Sequence, residues 1–243
     1  MPMFAPWEER SCRLLGEEAL KRLASSRVLV VGVGGVGGYA AETLCRTGIG
    51  HLTLIDADEV APSNINRQLI ATHATLGQPK ATLFAERFRE INPECEVEAR
   101  CEFLTPENVE DILAERYDFV VDAIDTVAPK TALLAACLRG RIPVVSSMGA
   151  GGRLNPAKVV YTDLWATRDD GLARAVRQRL KKLGLKRPLP VVASTEPPLA
   201  SSIVSLEERN KRSSFGTTMA IPAIFGIWLG QYVVNRIIRL KPV

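Results

Sequence analysis

Short apolar runs alternate along this chain with longer segments in which apolar residues recur every three or four positions. The runs near 28–32, 52–56, 97–101, 118–122 and 142–146 read as strands, several of them rich in β-branched residues. The segments at 14–24, 36–47, 79–91, 106–116 and 128–139 carry the helical period. Strand–helix alternation with apolar strands predicts an α/β fold, a Rossmann-like, mostly parallel sheet covered by helices. After Gly149-Ala150-Gly151-Gly152 the pattern changes into a C-terminal extension. A strand is expected at 157–162 and a helix at 169–183. The Pro- and Ser-rich stretch at 188–214 reads as a long mobile loop.

Composition alters this picture in few places. The formal charge of +4 permits a polyanionic partner without demanding one. Cysteines at 12, 45, 95, 101 and 137 form no CxxC pair, and the only histidines are at 51 and 73, which argues for no zinc site. An odd, unpaired cysteine set fits a reduced, cytoplasmic protein. Glu8, Glu9 and Arg10 interrupt any signal-peptide core. Ser213 to Asn235 carries no charge, but Pro222, Gly226, Gly230 and Gln231 dilute it. Its apolar part is shorter than the ~20 residues a membrane span needs. It reads as a buried helix at a subunit interface, with membrane association as the lesser alternative.

The chemistry starts where Val28-Leu29-Val30-Val31 runs into Gly32-Val33-Gly34-Gly35-Val36-Gly37-Gly38 and a helix follows. Such a turn aims backbone N–H groups and the positive end of a helix dipole at a phosphate. Asp56 ends the next strand, where a carboxylate can accept from a ribose hydroxyl. A lone glycine motif favours a nicotinamide or flavin enzyme. Asn64-Ile65-Asn66-Arg67-Gln68, close after Asp56 and Asp58, argues for a polar, cationic pocket suited to a triphosphate. Lys80 follows Pro79 at a helix start, where a bound anion would relieve its conflict with the dipole. Asp122-Ala123-Ile124-Asp125 ends the fourth strand at the ligand edge. A carboxylate there can hold Mg²⁺ on nucleotide phosphates, and Asp125, past the strand end, is the better placed.

In this order the motifs resemble the ubiquitin-activating-type adenylating enzymes. Glu9–Leu20, Arg46-Thr47-Gly48-Ile49-Gly50, Ile91-Asn92-Pro93-Glu94-Cys95 and Gly149–Gly152 resemble, within that family, the tRNA threonylcarbamoyladenosine dehydratase branch. The resemblance implies one adenylating-enzyme domain over 1–243. Residues 1–150 would bind ATP, and 151–243 would complete the sheet and serve substrate and dimer contacts around the loop at 188–214. It implies ATP with Mg²⁺, a tRNA substrate and a homodimer. A monovalent cation and a sulfurtransferase-type protein partner are left open.

By the same resemblance Arg10, Arg67, Lys80 and Asp125 form the catalytic set, with Asp125 also the metal ligand. Arg10 would enter the partner subunit's ATP site. Gly32, Gly34, Gly35, Gly37, Asp56, Asp58, Asn64, Asn66, Gln68 and Asp122 would line the nucleotide. The implied reaction is ligase-type dehydration. The threonyl carboxylate attacks the α-phosphate, AMP becomes the leaving group, and the substrate's own carbamoyl group closes the ring. No enzyme thiol is required. Arg174, Arg177, Arg179, Lys181, Lys182, Lys186 and Arg187, with Arg209, Lys211 and Arg212, would hold RNA phosphates. The alternatives are an adenylyltransferase for the C-terminal glycine of a ubiquitin-like sulfur carrier, and a non-catalytic partner subunit.

Overall fold

A computed structural model describes residues 4–208 and 211–239. Strand β1 (Arg27–Val31) is apolar on both sides because both sides are covered. Val28 and Val30 join one core cluster, and Leu29 and Val31 join the other. Around β1 lie β2 (His51–Ile55), β3 (Glu96–Arg100), β4 (Phe119–Asp122), β5 (Val144–Ser147), β6 (Val159–Asp163) and β7 (Pro190–Ser194). They form a seven-stranded sheet in the order β3-β2-β1-β4-β5-β7-β6. All neighbours are parallel except β6 and β7. The expected α/β, mostly parallel sheet is therefore present.

Helices α2 (Glu17–Ala24), α3 (Gly37–Arg46), α4 (Lys80–Ile91) and α8 (Ala220–Ile237) cover one face. Helices α5 (Val109–Ala114), α6 (Val127–Gly140) and α7 (Gly171–Lys182) cover the other. The order reverses between β1 and β4, so the chain leaves these strands toward opposite faces. Ligands of open α/β sheets bind at such a switch point, beyond the strands' carboxyl ends.

Two expectations change. The helix expected over 14–24 is two helices, α1 (Glu9–Leu15) and α2, broken at Gly16 with φ 84°. The stretch expected as a loop over 188–214 contributes β7 to the main sheet and a hairpin of β8 (Ile203–Glu208) and β9 (Lys211–Phe215). Pro188 and Pro190 mask β7, yet Pro190 is its first residue, where a missing N–H is tolerated, and Val191–Ala193 are buried. Arg209 and Asn210 of this stretch lie outside the described residues.

Helix α8 is the uncharged C-terminal segment. Among the described residues no helix is long and apolar enough to cross a membrane. Its glycines serve close approach to α3 instead. A Cβ on Gly226 would collide with the Val36 carbonyl oxygen, and one on Gly230 would lie 2.7 Å from Thr43 Cβ.

Candidate active site

The loops after β1, β2 and β4 meet at the switch point. Gly32 adopts φ 83°, and a Cβ there would lie 3.0 Å from the Ala123 carbonyl oxygen. A Cβ on Gly37 would strike the Gly32 carbonyl oxygen and stand 3.0 Å from Ala123 Cβ. The glycine loop thus touches the β4 loop that carries Asp125. Asp56 ties the β2 loop to the same place. Its Oδ2 accepts from Val33 N at 2.8 Å and its Oδ1 from Asp58 N at 2.9 Å. Burial raises the Asp56 carboxyl above its ordinary range, partly countered by Lys80.

The cationic segment folds over the glycines. The point where a Gly35 Cβ would sit is 3.3 Å from Arg67 Cγ, and that for Gly34 is 3.5 Å from Gln68 Nε2. Arg67 is held by donating to the Ser63 carbonyl at 2.7 Å and to Asn66 Oδ1 at 3.0 Å. Asn66 donates to the Thr217 carbonyl at 3.0 Å, which brings the chain between β9 and α8 over the site. Lys80 is 4% exposed and pairs with Asp58 Oδ2 at 2.8 Å, so it is no solvated lysine. Gln68 Oε1 is buried without a hydrogen-bond partner among the described residues. Leaving such an acceptor unused costs about 1–3 kcal/mol, which a donor on a bound nucleotide would recover.

Other candidates take supporting places. Asn64 is buried, and its Oδ1 accepts from Ala61 N at 3.1 Å, which shapes the turn that presents Arg67. Asp122, expected to line the nucleotide, is fully buried and turned toward α6. It pairs with Lys130 at 2.8 Å, and accepts from Ser146 Oγ at 2.6 Å and from Ile124 N at 3.1 Å. Asp122 is thereby corrected from ligand contact to support. Lys130, absent from the sequence expectations, also donates to the Ile124 carbonyl at 2.9 Å, next to Asp125. Its signal was there: Lys130 shares a helical face with Leu133, Leu134 and Cys137, all buried. A second buried pair, Arg153 with Asp170 at 3.2 Å, holds the loop after β5, where Gly149 N donates to Asp170 Oδ2 at 2.9 Å.

Asp125 is exposed, beyond the end of β4 and just before α6. Among the described residues no group of three carboxylate, histidine or cysteine side chains could hold a metal. This donor set fits Mg²⁺ carried by nucleotide phosphates, which needs one or two carboxylates, rather than an all-protein cage. Burial pushes the Cys137 thiol up to about 12, so that sulfur is an inert core group.

Arg10 is not brought to this site within one chain. It is exposed on α1, and its acidic neighbours are engaged elsewhere. Glu9 pairs with Arg13 at 2.5 Å, and Glu8 accepts from Ala5 N at 2.9 Å. Glu8 also lines a cavity of about 460 Å³ with Phe4, Gly48, Gly50 and Asn92, at the amino edge of the sheet, opposite the glycine loop. On α7, Arg174, Arg179, Lys181 and Lys182 are exposed. Arg177 instead turns inward to the Leu164 and Thr167 carbonyls, each at 3.1 Å, so it leaves the expected RNA-binding set. Arg209 is outside the described residues, as are the side chains of Lys211 and Arg212.

The ThiF family model matches residues 8–185. The chain is 42% identical over 251 residues to tRNA threonylcarbamoyladenosine dehydratase of Escherichia coli (strain K12), covering 95% of this chain and 94% of that protein. It is 37% identical over 233 residues to tRNA threonylcarbamoyladenosine dehydratase of Bacillus subtilis (strain 168), covering 93% and 92%. The solved structure of the E. coli enzyme in complex with ATP superposes with a TM-score of 0.89 at 39% identity, covering 98% of each chain.

Proposed function

The chain belongs to the ThiF family, and we propose that it uses ATP to cyclise N6-threonylcarbamoyladenosine at position 37 of tRNA. The observation that carries this reading is Arg67 and Gln68 packed over Gly34 and Gly35, with Lys80 anchored beside Asp56 and Asp58. A glycine loop roofed by a guanidinium and an amide, with a buried lysine close by, suits a chain of phosphates.

In this mechanism the glycine-loop N–H groups and the α3 N-terminus receive phosphates. Asp56 accepts from the ribose. Arg67 and Lys80 stabilise charge that develops as the threonyl carboxylate attacks the α-phosphate and pyrophosphate leaves, giving the acyl-adenylate. Asp125 would hold Mg²⁺, which supplies further neutralisation of the phosphates when bound. Ring closure by the carbamoyl group then expels AMP, and the high effective molarity of an intramolecular attack drives it without a protein nucleophile.

The working unit is a homodimer in this reading. Helix α1 buries no residue of its own and leaves Leu14 83% exposed, so it has a face for a second subunit and can carry Arg10 to the partner's phosphates. A monovalent cation and a sulfurtransferase-type partner remain additions that the mechanism does not require. A cytoplasmic location belongs to the same reading.

The test is nucleoside analysis of tRNA bearing threonylcarbamoyladenosine after incubation with the protein, ATP and Mg²⁺. The cyclic nucleoside with matching AMP release is expected. Unchanged nucleoside, with an acyl-adenylate formed on a ubiquitin-like carrier, would replace this reading with carrier activation. No adenylation of either substrate would leave the non-catalytic partner subunit.

A further inference from the structure

A second basic surface lies far from the nucleotide loops. A cavity of about 340 Å³ opens at the amino edge of the sheet, below Phe119 of β4, Val144 of β5 and Pro190 of β7. Arg141, Arg187 and Arg236 line it, and no carboxylate does among the described residues. Arg139 and Arg239 flank these residues in sequence, at the ends of α6 and α8. None of the five arginines forms an ion pair among the described residues. Helix dipoles favour cations at helix C-termini, which accounts for Arg139 and Arg236 taken singly. They do not account for the convergence. Arg141 and Arg239 hold φ of 56° and 62°, where glycine would be unstrained. Arg187 is steered to the cavity by donating to the Leu138 carbonyl at 2.8 Å.

Helix α7 connects this cavity to the active site. It begins beside Asp170, which holds the loop after β5 at the carboxyl edge. It ends at Lys182, and Lys186 and Arg187 lead from there into β7 at the amino edge. Its 12 residues span about 18 Å. Arg174, Arg179, Lys181 and Lys182 are exposed along it. Positive groups therefore run from one edge of the sheet to the other and finish in the arginine-rimmed cavity.

We propose that this cavity is a docking site for the phosphodiester backbone of the tRNA body, remote from the nucleotide being modified. The inference rests on the tRNA reading above. A modified base near one end of a stem gives an enzyme few phosphates within reach of its active site. A path down α7 to Arg141, Arg187 and Arg236 adds phosphate contacts at the far edge of the sheet, which the proposal assigns to RNA beyond the anticodon arm. Arginine suits the task because its planar fork binds phosphate oxygens in pairs.

The experiment compares full-length tRNA with its isolated anticodon stem-loop, using the parent protein and the double variant Arg141→Gln, Arg236→Gln. An Arg46→Gln, Arg89→Gln variant on α3 and α4, which removes the same two charges, controls for net charge. The parent should bind full-length tRNA more tightly, with a steeper dependence on salt. The double variant should lose that preference, and its log–log salt slope for full-length tRNA should fall by about 1.5–2, one released counterion per arginine. Its affinity for the stem-loop, its ATP affinity and its turnover at saturating tRNA should match the parent. A preference and slope equal to the parent's would overturn the proposal while leaving the cyclisation reading intact. Parent protein that binds neither RNA would overturn both. Unchanged RNA binding with an altered oligomeric state would assign the cavity to protein contact and also overturn it.

Discussion

Replacing Lys130 by Met tests whether the site is held together from behind. Lys130 and Asp122 are both fully buried and 2.8 Å apart. Removing the ammonium leaves Asp122 charged inside the core, with the Ser146 hydroxyl and Ile124 N–H as its remaining partners among the described residues. Breaking one side of a buried pair costs about 3–5 kcal/mol, most of it the uncompensated charge. At about 2–4 °C per kcal/mol for a chain of this size, the melting temperature should fall by about 6–20 °C. Asp122→Asn alone should also destabilise, because it strands the ammonium. The double variant Lys130→Met, Asp122→Asn should be more stable than the sum of the two losses, by about 1–3 kcal/mol. Chemical denaturation of all four proteins gives that coupling directly. Additivity within about 0.5 kcal/mol would refute the pair as a unit.

The same variant carries a functional reading. Lys130 also fixes the Ile124 carbonyl, one residue before Asp125. Measured well below its melting temperature, Lys130→Met should lose turnover beyond any loss of ATP affinity, because Asp125 is no longer held in place. Parent-like turnover in the folded variant would restrict Lys130 to stability.

Three other outcomes are expected. Burial raises Asp56, so the folded protein keeps that proton to higher pH than the unfolded chain. The contribution of Asp56 to the stability of the ligand-free protein should therefore fall as pH rises from 3.8 through the raised value and level off above it; the stability difference between the parent and Asp56→Asn should change across that window, and a difference independent of pH rejects the assignment. Gly226→Leu should destabilise by at least about 1–3 kcal/mol, since even a Cβ collides with the Val36 carbonyl oxygen; a neutral melting temperature would show that α8 and α3 can part freely. Mixed dimers of Arg10→Ala and Asp125→Ala subunits should regain up to half of the parent activity per dimer if Arg10 acts across the interface, whereas inactivity of dimers confirmed by mass would place Arg10 outside the partner's site.

What was legible in the sequence, and what was not, follows from which faces are covered. β1, β2 and β4 announce themselves because burial on both sides leaves no charged residue between their end positions. β7 does not, because Pro190 occupies its first position and its neighbour Pro188 reads as loop. Arg67 and Lys80 stand out as polar groups beyond strand ends, and the structure places both beside the glycine and Asp56 loops. Asp122 and Asp125 look alike by the same criterion, although only one of them faces outward. Strand parity separates them. Val120 packs with α6, so Asp122, two residues on, points the same way. Helical parity puts Lys130 on the face of α6 that meets it. A carboxylate and an ammonium assigned to one buried layer by two independent periodicities must pair, since neither charge can stay there alone. Motif spacing carries the groups that meet the nucleotide. The groups that hold those in place become legible only when the periods of two packed elements are read together.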